Sequence, residues 1–303
     1  LANSASLDLQ KALTVANLVM TSGNSIIRTT GTSTLIVSGT STLAGSITTS
    51  GSQTFTGAVS LDAALTLTTS NGAVSFSSTI DNASATPRAL TISTGSGSVT
   101  LSGVEGGGAN GALDAIVINS TGTTAFSAAV TAASVTTNTG GTTTLGGNVT
   151  TTGAQAYNGN TTLTANTTLT TTNSDVTFGG TLNGNAAGKT LTIAAGAGSA
   201  TFTGAVGGSA ALGATAITAA TTTNNSTWVG NSTLGITGNT VINGAISGIT
   251  TLSISGTSSI AANITSSSNQ AYTGAFTITG SAVTLTSGTA GTVAFSSTVN
   301  SAA

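Results

Sequence analysis

Residues 47–61 read ITTSGSQTFTGAVSL, residues 149–163 read VTTTGAQAYNGNTTL, and residues 264–278 read ITSSSNQAYTGAFTI. Gln53, Gln155 and Gln270 fall in register, as do Phe55, Tyr157 and Tyr272, then Gly57, Gly159 and Gly274, then Leu61, Leu163 and Ile278. The match runs on through Val74 and Phe76, Val176 and Phe178, and Val293 and Phe295. A second stretch, RALTISTGSGSVTLSG from Arg88, aligns with KTLTIAAGAGSATFTG from Lys189. Self-similarity on this scale marks a repeat architecture, in which each unit buries its apolar face only against its neighbours. The three starts are 102 and 115 residues apart, so the last interval carries an insertion. It is expected to be roughly one strand-and-turn, between Trp228 and Ile249.

Within a unit the apolar positions alternate over short runs: Leu65 and Leu67, Val74 and Phe76, Leu90 and Ile92, Val99 and Leu101, Ile116 and Ile118. Period two is the signature of a half-buried strand, and Gly, Asn and Ser clusters punctuate the runs. Thr, roughly a fifth of the chain, and Val suit strands because branched side chains pack on a pleated surface. Only Ser6 to Met20, with Leu9, Leu13 and Leu18, could offer a helical face, and it could equally be a first strand or a cap.

Two architectures fit: tandem β-sandwich modules of about 100 residues, or one all-β parallel β-helix, a β-solenoid. Bulky core residues are few, no Pro- or charge-rich linker separates the units, and small residues suit like-upon-like stacking, all of which favour the solenoid. At about 20 residues per rung the chain makes about 15 rungs, and at roughly 4.8 Å per rung these span near 70 Å. The expected organisation is an N-terminal cap or first rungs over 1–31 and a continuous solenoid over 32–303. Super-repeats of about a hundred residues would run over 47–148, 149–263 and, in part, 264–303.

Composition narrows the function. The 303 residues hold 4 Lys+Arg, 6 Asp+Glu, no His and no Cys, which removes imidazole and thiol chemistry. Lys11, Arg28, Arg88 and Lys189 are too sparse to follow a phosphate backbone, so nucleic acid is not an expected partner. No run approaches the ~18 apolar residues of a membrane helix, and the aromatics form no girdles, so membrane insertion is not expected. The carboxylates Asp8, Asp62, Asp81, Glu105, Asp114 and Asp175 occur singly, whereas a glycosidase needs them clustered. Asp81-Asn82 and Asn173-Ser174-Asp175 read as turn formers, and the counterpart of Asp62 is Thr164.

Gly106-Gly107-Gly108 and Gly207-Gly208 lack the Lys-Ser/Thr of a phosphate loop and read as corners or protruding loops. Six acids cannot supply a calcium-binding repeat, and no metal or cofactor is expected. Thr arrays such as Thr142-Thr143-Thr144 drift between copies, which argues against ice binding, and sequons such as Asn119-Ser120-Thr121 arise by chance in such a composition. Phe55, Tyr157 and Tyr272 are expected in the core or at corners. Trp228, the only Trp, is the expected mark of a contact surface.

The blocks TTSGSQTFTGAVSLDAALTLTTSNGAVSFSSTID (48–81) and TTTGAQAYNGNTTLTANTTLTTTNSDVTFGGTLN (150–183) resemble the repeat regions of filamentous-haemagglutinin-like and autotransporter-type bacterial surface proteins. The resemblance covers most of the chain from about Thr32. It implies a right-handed parallel β-helix exported to the cell surface or outside the cell as a non-enzymatic adhesin or fibre, with a glycan or protein receptor. The chain has no recognisable secretion domain, anchor or Arg-Gly-Asp, so it is expected to be a segment of a longer protein. Self-association along the axis or laterally, as in a filament or surface layer, is the alternative expectation.

Overall fold

The computed structural model describes residues 5–27 and 33–302; Leu1, Arg28, Thr32 and the expected 31/32 boundary lie outside them. The described residues form strands and no helix, and the strands pair in parallel from turn to turn. The fold is a β-solenoid of about 15 turns. Tandem sandwiches, which rest on antiparallel pairing, are thereby excluded. Ser6 to Met20 builds the strands Ser6–Asp8, Leu13–Val15 and Leu18–Val19. The chain divides into two compact units, Leu1–Thr151 and Thr152–Ala303.

In the first unit each turn has three strand positions. Starting from Ile47, the chain passes Phe55 in Gln53–Phe55 and Leu61 in Val59–Thr69, then returns with Leu67 stacked on Ile47. Three inward rows result. One is Ile26, Ile47, Leu67, Ile92 and Ile118. Another is Val37, Phe55, Phe76, Leu101, Phe126 and Leu145. The third is Ser41, Val59, Ile80, Glu105, Val130 and Val149. The aliphatic and aromatic members are buried, each worth about 1.5–3 kcal/mol relative to exposure. Alternation in sequence therefore becomes stacking in space, because successive strand side chains point to opposite faces of the sheet.

Small residues turn the corners. Ser41–Thr49 is one strand that bends where its register shifts between Leu43 and Gly45. Gly45 has φ +81°, and a Cβ there would lie 2.2 Å from the carbonyl oxygen of Asn24 one turn below. A strand end closes on a buried hydroxyl: Thr49 donates to Gly51 O at 2.6 Å and Thr69 to Gly72 O at 2.5 Å. These hydroxyls satisfy the carbonyls that the bending ladder cannot reach.

The second unit repeats this plan. Tyr157, Phe178 and Phe202 begin one row, continued by Asn224, Ile242 and Ile260. Leu182, Val206, Trp228, Ile246 and Ile264 form a second. Leu169, Ile193, Ile217, Ile236, Ile254, Tyr272 and Phe295 form a third.

The sequence repeat does not equal a whole number of turns. From Ile47 the coil makes four turns, through Leu67, Ile92 and Ile118 to Thr137, then two further strand positions to Val149, which belongs to the row of Val59. From Gln155 it makes five turns, to Ser258, then two positions to Gln270. The longer interval therefore holds one complete turn of three strands more than the shorter one. The expected insertion of one strand-and-turn is too small, because a single extra strand would have moved every later residue onto a different row.

Candidate functional site

Among the described residues there is no cavity for a small ligand and no group of three or more metal-ligating acids, His or Cys. The chemistry-bearing side chains instead fall into two structural clusters.

The first is built by the repeated Gln-x-aromatic motif. Gln53 and Gln270 are fully buried at corners, where their amides join two turns of backbone. Gln53 Nε2 donates to Ile47 O at 3.1 Å, to Thr49 Oγ1 at 3.1 Å and to Thr68 O one turn on at 3.0 Å. Gln270 Nε2 donates to Ser266 Oγ at 3.2 Å and to Thr286 O at 2.8 Å, and Gln155 Nε2 donates to Thr170 O at 2.9 Å. The amide oxygen is served by the tyrosine two residues on: Tyr157 Oη donates to Gln155 Oε1 at 3.1 Å and Tyr272 Oη to Gln270 Oε1 at 2.9 Å. Burial raises both phenols well above their ordinary range, which keeps them neutral donors. The motif glycine closes the corner, since a Cβ on Gly57 or Gly274 would stand 2.4 Å from the backbone of the turn below.

In the first copy Phe55 replaces the tyrosine, and Gln53 Oε1 is buried with no partner. Phe55→Tyr is therefore expected to stabilise the protein by about 1 kcal/mol, and Tyr272→Phe to cost about 1–3 kcal/mol by orphaning Gln270 Oε1. Urea unfolding midpoints of the two variants should move in opposite directions.

The aromatic residues Phe55, Tyr157 and Tyr272 thus belong to the core, stacked on Phe76, Phe178 and Phe295 at centroid distances of 4.8, 5.4 and 5.3 Å. Trp228 also lies inside. It is 2% exposed and meets Phe202 edge to face at 4.9 Å, so it marks no contact surface. The reason is its place in the inward row between Val206 and Ile246.

The second cluster surrounds Glu105, the chain's single glutamate. It occupies an inward position between Ile80 and Val130, is fully buried, and neither carboxyl oxygen is hydrogen-bonded by another residue. Desolvation pushes its carboxyl up to about 8, opposed by its own backbone N–H and aided to a smaller extent by Asp81. Directly after it the chain leaves the coil in a loop, 106–112, and returns at buried Leu113. The glycine run is thus a protruding loop, and Gly106 (φ +63°) makes the exit because a Cβ there would sit 2.1 Å from Thr131 O.

Asp81 and Asn82 stand on the strand Ile80–Asn82 and hold the loop from below. The expectation that they form a turn fails because strand pairing with Ser60 and Leu61 claims them. Asp81 Oδ1 accepts from Gly108 N–H at 2.8 Å, and Asn82 Nδ2 donates to Ala112 O at 2.8 Å. Asn110 Nδ2 donates to Asn82 O at 2.7 Å.

Asn173 does take the left-handed conformation of a turn (φ 57°), and Asp175 Oδ1 accepts from Ser199 N–H at 2.7 Å. Asp8 accepts from Gln10 Nε2. Asp62 and Asp114 are exposed. Asp81 acts electrostatically on Glu105 and raises its carboxyl. Glu105 was detectable in the sequence, because extending the Arg88/Lys189 alignment by two residues sets it opposite Val206.

Compared with protein-family models, curated proteins and solved structures, the chain matches none.

Proposed function

We propose that the chain is a non-enzymatic structural and adhesive segment of a bacterial surface protein, exported to the cell surface or beyond, as the likeness of its repeats to haemagglutinin-type and autotransporter-type regions implies. The observation that carries the reading is how the turns are joined. Neutral groups make the cross-turn bonds almost everywhere: Asn71 Oδ1 accepts from Ser96 N–H, Asn173 from Ala197 N–H, Asn239 from Thr257 N–H, and Asn269 from Thr292 N–H, at 2.9–3.1 Å. Such a ladder needs no metal, ion pair or disulfide to hold it, which suits a segment made for length and stiffness. Its Thr-, Ser- and Asn-coated exterior carries few charges to desolvate when it meets a glycan or protein receptor.

The test is adsorption of the purified chain to immobilised glycans and matrix proteins at about 0.15 M and 1 M salt. Retention at high salt is expected, because few charges exist to be screened. No binding to any surface, or binding lost at 1 M salt, overturns the adhesive reading.

A second reading is a subunit of a self-assembling filament or surface layer: with 4 Lys+Arg and 6 Asp+Glu in 303 residues, copies of the chain can pack side by side with little charge to desolvate. Electron micrographs of the pure chain showing ordered filaments or sheets would favour it.

A further inference from the structure

The two halves of the Arg88/Lys189 alignment build the same loop exit with different charges. In the second unit Val206 takes the position of Glu105, and Asn183 that of Asp81. Two backbone bonds at the exit are matched. Gly106 N–H donates to Ile80 O at 2.8 Å and Thr131 N–H to Glu105 O at 2.8 Å. Gly207 N–H donates to Leu182 O at 2.7 Å and Val229 N–H to Val206 O at 2.8 Å. Asp81 Oδ1 receives Gly108 N–H, and Asn183 Oδ1 receives Ser209 N–H at 2.9 Å. An aliphatic residue and an amide therefore suffice to build this exit. The exit needs no ionisable group, and in the first unit the two Glu105 oxygens are left buried with no bond from another residue.

We propose that Glu105 is a proton-operated latch on the 106–112 loop: its neutral carboxyl stays in the core and holds the loop closed, and its ionised carboxylate leaves the core and opens it. The elements packed against Glu105 offer an ionised side chain little compensation. Ile80–Asn82 carries Asp81, which repels it; Val130–Thr137 carries no charge; Leu113–Ser120 carries Asp114, another acid. The nearest cation in sequence, Arg88, precedes Leu90–Gly95 and is tied through its backbone N–H to Asn82 Oδ1. Upward displacement of the Glu105 carboxyl to about 8 from its ordinary 4.5 sets the window. Closed-state stability is complete below the lower value and is lost as the pH rises towards the upper one.

The test is amide hydrogen exchange of the intact chain between pH 5 and 9, corrected for the intrinsic pH dependence of exchange. Opening reported by Gly106 and Thr131 is expected to rise about tenfold per pH unit from pH 5 to pH 8 and to level off above. Gly207 and Val229, in the same sample, should stay flat. In Glu105→Gln, Gly106 and Thr131 should be flat too. A flat wild-type profile, an equal slope at Gly207 and Val229, or a slope that survives in Glu105→Gln overturns the latch.

Discussion

Glu105→Leu is expected to raise the unfolding free energy by on the order of 4 kcal/mol at pH 8, by about 3 at pH 7, and by under about 1 at pH 5. The cause is linkage. Glu105 is ionised in the unfolded chain above about 4.5 and must take up a proton to enter the core until about 8. Folding is therefore penalised progressively across that window, and the penalty is full above it. Leucine has similar length, no proton to acquire and no oxygens to leave unpartnered between Ile80 and Val130. Urea denaturation at the three pH values checks this. Wild-type stability should fall from pH 5 to pH 8 while the variant's curve stays level, and coincident curves at pH 8 would refute the assignment. A packing defect would act at every pH alike, so the slope separates the two effects.

Phe178→Ala is expected to cost about 3–5 kcal/mol. Phe178 is buried between Tyr157 and Phe202, with ring centroids 5.4 and 5.3 Å away and planes tilted by 22° and 8°. Removing the ring empties the middle of a stack whose neighbours are fixed by in-register parallel pairing, Tyr157 to Phe178 and Phe178 to Phe202. The backbone ladder prevents the two outer rings from closing the gap, so the site relaxes poorly. A loss of this size is a large part of the ~5–15 kcal/mol that stabilises an ordinary domain. Phe295→Ala, at a ring 39% exposed that stacks on one side of Tyr272, should cost well under half as much. Equal shifts in the urea midpoint would show that the stack is not what holds these rings.

Much of this architecture was legible because stacking turns sequence alternation directly into rows. Leu65 and Leu67 in one run and Leu90 and Ile92 in the next are partners in space. What period two does not encode is which strand lies above which. The hundred-residue repeat is visible in the sequence, but the number of strands per turn is not, which is why the insertion reads as a single strand-and-turn. A lone Trp in an irregular stretch reads as surface, whereas the row of Trp228 is set by its bridge to Val206. Glu105 stands out little in the sequence because it is one of six acids that occur singly. Only its alignment with Val206 marks the position as apolar.

The mismatch between repeat and turn bears on how such a chain can lengthen. Within the second unit, Gln155 and Gln270 carry the same motif at azimuths one strand position apart, so a lateral partner would not meet the two copies along one line. Duplication here multiplies interior hardware, the Gln clamp and its aromatic, without building a periodic exterior epitope. The extra segment is a whole pitch, the one size of insertion that leaves the phase of everything downstream untouched. Gain or loss of length in multiples of a turn is thus the cheapest variation open to this fold, and its reach can change while its corners stay as they are.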